Sequence, residues 1–292
     1  MLEAVPNVSE GRDGSAIAAI GRGFANRATL LDVHSDADHH RSVYTLAAEP
    51  DALVEALVEG AEAAFEHIDL RVHDGVHPRV GAVDVTPVVP IVSREMDLAK
   101  RVALDVARRI ADELGVPVFL YGKVGGGRSP AFFRRGGTQE LGRRLAAGEL
   151  APDFGPASLD ARTGVVLVGA RPPLVAYNLD LGTDDVEVAR SIAVAVRESG
   201  GGLAGVQAIG LFLPRAGRVQ VSMNILDLEL TPLHEAVEQV RREADARGVE
   251  IVDGELVGLV PEPVVRAADA AGVFVPGLDD SRVLERLLAA SL

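Results

Sequence analysis

From residue 174 to residue 260 the hydrophobic pattern changes period in a fixed order. Residues 174–181 read as a strand, and 185–199 carry apolar side chains at helical spacing. Residues 206–213 and 219–226 read as a hairpin, 234–247 as a helix, and 249–260 as one or two strands, with two helical segments after them. The order is strand, helix, strand, strand, helix, strand: a split ferredoxin-like unit, which lays its helices on one sheet face. In 219–225 Val219, Val221, Met223 and Ile225 alternate with Gln220, Ser222 and Asn224. The strand therefore has an apolar and a polar face, and the polar one either meets solvent or holds a ligand.

The first 90 residues repeat that order. Residues 2–8 read as a strand, 14–26 as a helix, and 29–34 and 42–48 as strands around a polar turn at 35–40. Residues 51–68 form a helix with Asp51 as N-cap, and 83–92 a strand whose prolines at 87 and 90 place it near an edge or end it early. Beyond this come a helix at 97–114 closed by Gly115 and a buried strand at 116–121. Residues 122–164 read as a long functional loop with one short helix near 137–147, followed by a strand at 165–168. Arg171-Pro172-Pro173 marks a boundary. The expected fold is α/β (α+β): two related βαββαβ subdomains, 1–173 and 174–292, with a ligand cleft between them.

Composition narrows the function classes. With 43 acidic against 29 basic residues the formal net charge is −14, which repels phosphate backbones, and 4% aromatics without tryptophan supply no base-stacking platform. No apolar run is long enough to span a membrane, and Met1-Leu2-Glu3-Ala4-Val5-Pro6 has no signal-peptide character. Cysteine is absent, which removes disulfides and thiol ligands. The expectation is a cytoplasmic protein that binds small molecules, with neither nucleic acid nor membrane as partner.

Four polar constellations remain. Residues 71–84 hold His73, His77, Arg71, Arg79, Asp74 and Asp84. Gly75 and Pro78 forbid the helix on which histidines four apart would share a metal, so a loop entering a strand is expected, with a histidine able to take and return a proton. Arg79 is a cation able to grip a carboxylate. Residues 34–42, with His34, Asp36, Asp38, His39 and His40, read equally as a metal cluster or a solvated hairpin tip. Adjacent strand side chains point oppositely, so His39 and His40 cannot share one site without a bend. Lys123, Arg128, Arg134, Arg135, Arg143 and Arg144 form a basic stretch, suited to a small polyanion or a solvated face. The turn-rich Asp153-Phe154-Gly155-Pro156 segment suits the lip of a cleft.

Val5-Pro6-Asn7-Val8-Ser9-Glu10-Gly11, His77-Pro78-Arg79-Val80-Gly81-Ala82-Val83-Asp84-Val85, Pro117-Val118-Phe119-Leu120-Tyr121-Gly122 and Ala151-Pro152-Asp153-Phe154-Gly155-Pro156 resemble the formiminotransferase family. The later Val221-Ser222-Met223-Asn224-Ile225-Leu226-Asp227 and Glu255-Leu256-Val257-Gly258-Leu259-Val260-Pro261 continue the likeness over nearly the whole chain. The resemblance implies transfer of a formimidoyl group between N-formimidoyl-glutamate and tetrahydrofolate, in histidine degradation and one-carbon metabolism. It implies tetrahydrofolate as co-substrate, no metal, a homodimer, and His77 as the general acid/base. It assigns folate to Gly155-Pro156-Ala157-Ser158-Leu159-Asp160-Ala161-Arg162-Thr163-Gly164, while Arg79, Arg41, Asp84, His40 and Asn7 are candidates for substrate binding. Formyl transfer, another amino-acid partner or a non-catalytic folate-binding module are the alternatives on the same scaffold. Residues 125–137 depart from the family pattern as do 159–162, and His40 stands where asparagine is expected.

Overall fold

The first strand is broken by its own proline. In the first unit the elements run β1 (Leu2–Ala4), β2 (Asn7–Val8), α1 (Gly14–Ala25), β3 (Thr29–Asp36), β4 (Arg41–Ala48), α2 (Pro50–His67) and β5 (Val83–Pro90). They continue with α3 (Met96–Leu114), β6 (Val118–Gly122), α4 (Pro130–Arg134), α5 (Gly137–Ala146) and β7 (Val166–Ala170). The computed structural model describes residues 1–291; Leu292, the last residue of the second expected subdomain, lies outside them. The chain divides into two compact units, Met1–Arg171 and one that begins at Pro172.

Both β1 and β2 pair antiparallel with β4 on one side and β5 on the other, so they are one strand interrupted at Val5-Pro6. The sheet runs β3, β4, β1/β2, β5, β7, β6, with β7 parallel to both β5 and β6. Strand β5 is therefore central, with all eight residues buried; of the two outcomes its prolines predict, it does not lie near an edge but it does end early, at Pro90 rather than at 92. Pro87 is accommodated because it faces the interruption. There Val5 donates its N–H to the Pro87 carbonyl at 3.2 Å, and no N–H is asked of residue 87.

Helices α1, α2 and α3 cover one face of this sheet through Ile20, Phe24, Leu53, Leu57, Val102, Val106 and Ile110. Each such side chain contributes about 1.5–3 kcal/mol on burial. The Asp13 carboxylate caps α1 by accepting from the Ser15 and Ala16 N–H groups. Helix α2 starts one residue earlier than expected. Pro50 sits in its first turn behind Glu49, and Asp51 lies inside the helix, where it complements the N-terminal dipole without capping it. On the opposite face α4 and α5 cover Val85, Phe119, Tyr121 and Leu167 with Phe133, Leu141 and Leu145. The stretch 122–164 thus contains two helices, not one; α4 has only five residues, too short for a periodic signal.

The second unit consists of β8 (Val175–Leu181), α6 (Val186–Val196), β9 (Val206–Leu213), β10 (Arg218–Ile225), α7 (Leu233–Asp245), β11 (Ile251–Val257), α8 (Glu262–Ala271) and α9 (Leu284–Ser291). Its antiparallel sheet has the order β11, β8, β10, β9. That is the order of the first four positions of the larger sheet, so the molecule is a mixed α/β fold with two related sheets. Val219, Val221, Met223 and Ile225 are buried in the core with Ile192 of α6 and Val237 of α7. On the polar side Gln220 donates to Asp180 at 2.9 Å and Asn178 to Glu255 at 3.3 Å. No helix among the described residues is long and apolar enough to cross a membrane.

Two glycines lock the segment before β5 to the segment before β7. Gly81 and Gly164 form an isolated bridge, Gly164 at φ +71, and a Cβ on Gly81 would be driven into the Val165 carbonyl oxygen. Gly81→Ala must displace backbone, and we expect a loss above about 2 kcal/mol in denaturant unfolding, whereas Gly142→Ala, inside α5 and in open space, should gain about 0.5–1 kcal/mol. A Gly81→Ala unfolding midpoint equal to that of the parent would contradict this packing.

Candidate active site

Asp84, the second residue of β5, is a carboxylate fully buried from water. Its Oδ1 accepts from the Val80 N–H at 2.8 Å, and its Oδ2 accepts from Arg41 Nη1 at 2.8 Å and from Arg134 Nη2. Burial pushes its pKa up, but the Arg134 and Arg41 guanidiniums and the Val80 N–H outweigh burial and hold it below the ordinary 3.8. Arg41 opens β4. Its Nε donates to Asn7 Oδ1 at 2.9 Å, and Asn7 in turn donates from Nδ2 to the Val5 carbonyl at 2.8 Å, which fixes the amide's orientation. Burial lowers the Arg41 pKa to about 10, so the guanidinium is still cationic at neutral pH.

His77 meets this network through Nδ1, which lies 3.2 Å from Arg41 Nη1 and 2.8 Å from the Pro78 carbonyl. A guanidinium only donates and a carbonyl only accepts, so Nδ1 can satisfy one of them. The shorter contact assigns the proton to Nδ1, which leaves the lone pair on Nε2, without a partner among the described residues. The imidazolium is opposed first by burial and then by Arg41, Arg134 and the His39 ring stacked at 5.7 Å, so the pKa lies well below 6.5. The result is a half-buried, neutral imidazole with one basic nitrogen uncommitted: a group that accepts a proton at neutral pH and readily returns it.

His40 and His73 have structural assignments. Gly11 donates its N–H to His40 Nδ1 at 3.1 Å, and Gly75 donates to His73 Nδ1 at 3.2 Å while His73 Nε2 donates to the His40 carbonyl at 2.9 Å. Both Nδ1 atoms are acceptors, hence both rings are neutral, and they stack at 4.1 Å. Burial lowers the pKa of His40 and takes that of His73 to about 4. His40 has φ +50, and this left-handed residue is the bend that sends His39 to His77 and His40 to His73. Asp36 accepts from the His39 N–H at 2.6 Å. Among the described residues no three His, Asp or Glu side chains group as a metal site would require.

Arg79 spends its donors on its own loop, to the carbonyls of Gly75 at 2.8 Å, His77 at 3.1 Å and His73 at 3.0 Å. It sets the curvature that presents His77. The exposed turn at 155–164 lies alongside. Asp160 accepts from the Arg162 and Thr163 N–H groups, Leu70 donates to the Arg162 carbonyl at 2.9 Å, and Ala82 donates to the Thr163 carbonyl at 2.8 Å. The tertiary structure therefore sets this turn against both ends of the His77 segment. The basic stretch is mostly paired internally: Arg128 with Asp153, Arg143 with Glu140 and Glu149, and Arg144 on the Phe132 ring. Lys123 and Arg135 are exposed and have no side-chain partner among the described residues. Arg134, read in the sequence as part of either a polyanion site or a solvated face, instead reaches Asp84. The signal available was Phe133 before it, an aromatic in a polar loop that had to be buried.

His73 carries a pH consequence. As pH falls from 6.5 toward about 4, the unfolded chain binds a proton on His73 that the folded chain refuses, so folding weakens across that window and is unaffected above it. The urea midpoint of a His73→Gln variant should fall less steeply over this range than that of the parent; equal slopes would mean that folded His73 titrates normally.

Residues 1–171 match the formiminotransferase domain, N-terminal subdomain, and residues 176–283 match the formiminotransferase domain. The chain is 39% identical over 293 residues to a glutamate formimidoyltransferase of Thermoplasma acidophilum, covering 98% of this chain and 96% of that one. It is 38% identical to a glutamate formimidoyltransferase of Streptococcus pyogenes serotype M1, covering 89% of each. A formimidoyltransferase-cyclodeaminase of Gallus gallus is 40% identical over 94% of this chain, which spans 52% of that longer protein. With both units matched and near-full-length relatives at this identity, the chain belongs to the formiminotransferase family.

Proposed function

We propose that the chain is a glutamate formimidoyltransferase, moving a formimidoyl group between N-formimidoyl-glutamate and tetrahydrofolate in histidine degradation and one-carbon metabolism. The observation that carries this reading is His77, held neutral with Nε2 uncommitted beside the Arg41 guanidinium, in a chain whose near-full-length relatives bear that name.

The chemistry is an amidine exchange. The N5 amine of tetrahydrofolate attacks the amidine carbon, a C–N bond forms, and the C=N electrons move to nitrogen to give a tetrahedral species. N5 must then lose a proton and the glutamate nitrogen must gain one before the second C–N bond breaks. His77 Nε2 accepts the first proton and delivers the second, a role typically worth about 10²–10⁴ in rate. The step needs neither a covalent nucleophile nor a change in oxidation state. In this reading Arg41 and the donors Arg79 retains attract the glutamate carboxylates, and Asn7, His40 and Asp84 shape that pocket. The turn at 155–164 receives the folate, and Lys123 faces its glutamate tail. The assembly is a homodimer in the cytoplasm, with tetrahydrofolate as co-substrate and no metal.

Incubating the protein with N-formimidoyl-glutamate and tetrahydrofolate should yield 5-formimidoyltetrahydrofolate and glutamate; no product from either direction would overturn the assignment. His77→Asn should lower kcat by at least about 10² while tetrahydrofolate binding, followed by calorimetry, stays within about threefold. Unchanged turnover in that variant would remove His77 from the proton-transfer role.

A further inference from the structure

The departing segment 125–137 carries an arginine that is turned inward. Phe133 is fully buried, 5.0 Å from the Phe119 ring, and pins α4 against the sheet. The next residue, Arg134, is 16% exposed and reaches Asp84 Oδ2, the same oxygen that Arg41 Nη1 contacts. Its Nε is buried with no partner, so the side chain is not placed there to satisfy its own donors. Its neighbours behave differently: Arg135 is exposed, and Arg144 lies over the Phe132 ring at 4.8 Å.

We propose that Arg134 is a positioning residue of the His77 centre: by sharing Asp84 Oδ2 with Arg41, it fixes the carboxylate that holds the Arg41 guanidinium against His77. Arg134 has no direct hydrogen bond to His77 and acts through Asp84 and Arg41. It also sets the charge. Arg41 and Arg134 against Asp84 leave one net positive charge beside the ring, which the stacked His39 also faces, while the loop's own Arg79 donates to the His77 carbonyl. Removing the Arg134 charge makes the trio neutral, so the imidazolium of His77 becomes easier to form.

The test compares Arg134→Gln, Arg134→Lys and the control Arg135→Gln. The His77 ring proton is titrated by NMR, assigned with His77→Asn, and kcat and KM are measured for both substrates. In Arg134→Gln the His77 midpoint should rise by about one unit. Its kcat should fall about 10²-fold, with KM within about threefold. Arg134→Lys, which keeps charge but not the planar fork, should leave the midpoint in place and stay at least about tenfold below the parent in kcat. Arg135→Gln should change neither. A parent-like His77 titration in Arg134→Gln, or parent-like kcat in Arg134→Lys, overturns the proposal; the second comparison decides it alone if Arg134→Gln does not fold. The rate readouts rest on the formimidoyl-transfer reading, whereas the titration does not. An inactive parent protein with a shifted His77 midpoint in Arg134→Gln would sink that reading and uphold Arg134.

Discussion

A single carboxylate without access to water organises the first unit. Asp84 survives burial as an anion because two guanidiniums and one backbone N–H replace the water it lost. Removing either arginine would leave Asp84 Oδ2 with one donor in place of two, and deleting the carboxylate would leave two buried cations facing each other. Such a trio cannot drift: each member is held by the penalty of separating it from the others. His77 is held by its own Nδ1–H to the Pro78 carbonyl and lies 3.2 Å from the fixed Arg41 guanidinium. Burial first, and then the net positive charge of the trio, keeps its ring neutral.

The scaffold around the trio is assembled from distant parts of the sequence. Asn7 comes from the broken first strand, Arg41 from the start of β4, Asp84 from β5 and Arg134 from α4. The break at Val5-Pro6 lets a central strand contain Pro87, and the Gly81–Gly164 bridge allows two backbones to touch where side chains would hold them apart. The His77 loop itself is stiffened from within by Arg79 and from without by the stacked His40 and His73 rings. The chemistry-bearing nitrogen is therefore the exception in a segment whose other polar groups are largely committed.

Much of the architecture was legible because periodicity reports burial directly. The second unit reads almost element for element, since each strand buries one face and each helix one stripe. Where reading failed, the cause is specific. The prolines of β5 predict a strand near an edge or one that ends early; it ends at Pro90, and only the facing interruption in β1/β2 lets it lie in the middle of the sheet. Helix α4 escaped because one and a half turns show no period, and its start at Pro130 in a glycine-rich run resembles a loop. Asp51 has the chemistry of an N-cap but lies one step inside a helix that proline begins.

For the site, the sequence by itself determined that residues 71–84 gather a dense set of titratable side chains, that Gly75 and Pro78 exclude a helix there, and that His39 and His40 cannot enter one site without a bend. Those conclusions follow from backbone chemistry local to each residue. Tertiary structure alone decided which ring nitrogens are occupied, because His40 and His73 meet partners about thirty residues away in Gly11 and the His40 carbonyl. It also moved Arg134 from a basic surface to a buried carboxylate and turned Arg79 toward its own loop. Charge and hydrogen-bond capacity are written in the residue type; the partner that consumes them is set by which strands lie side by side.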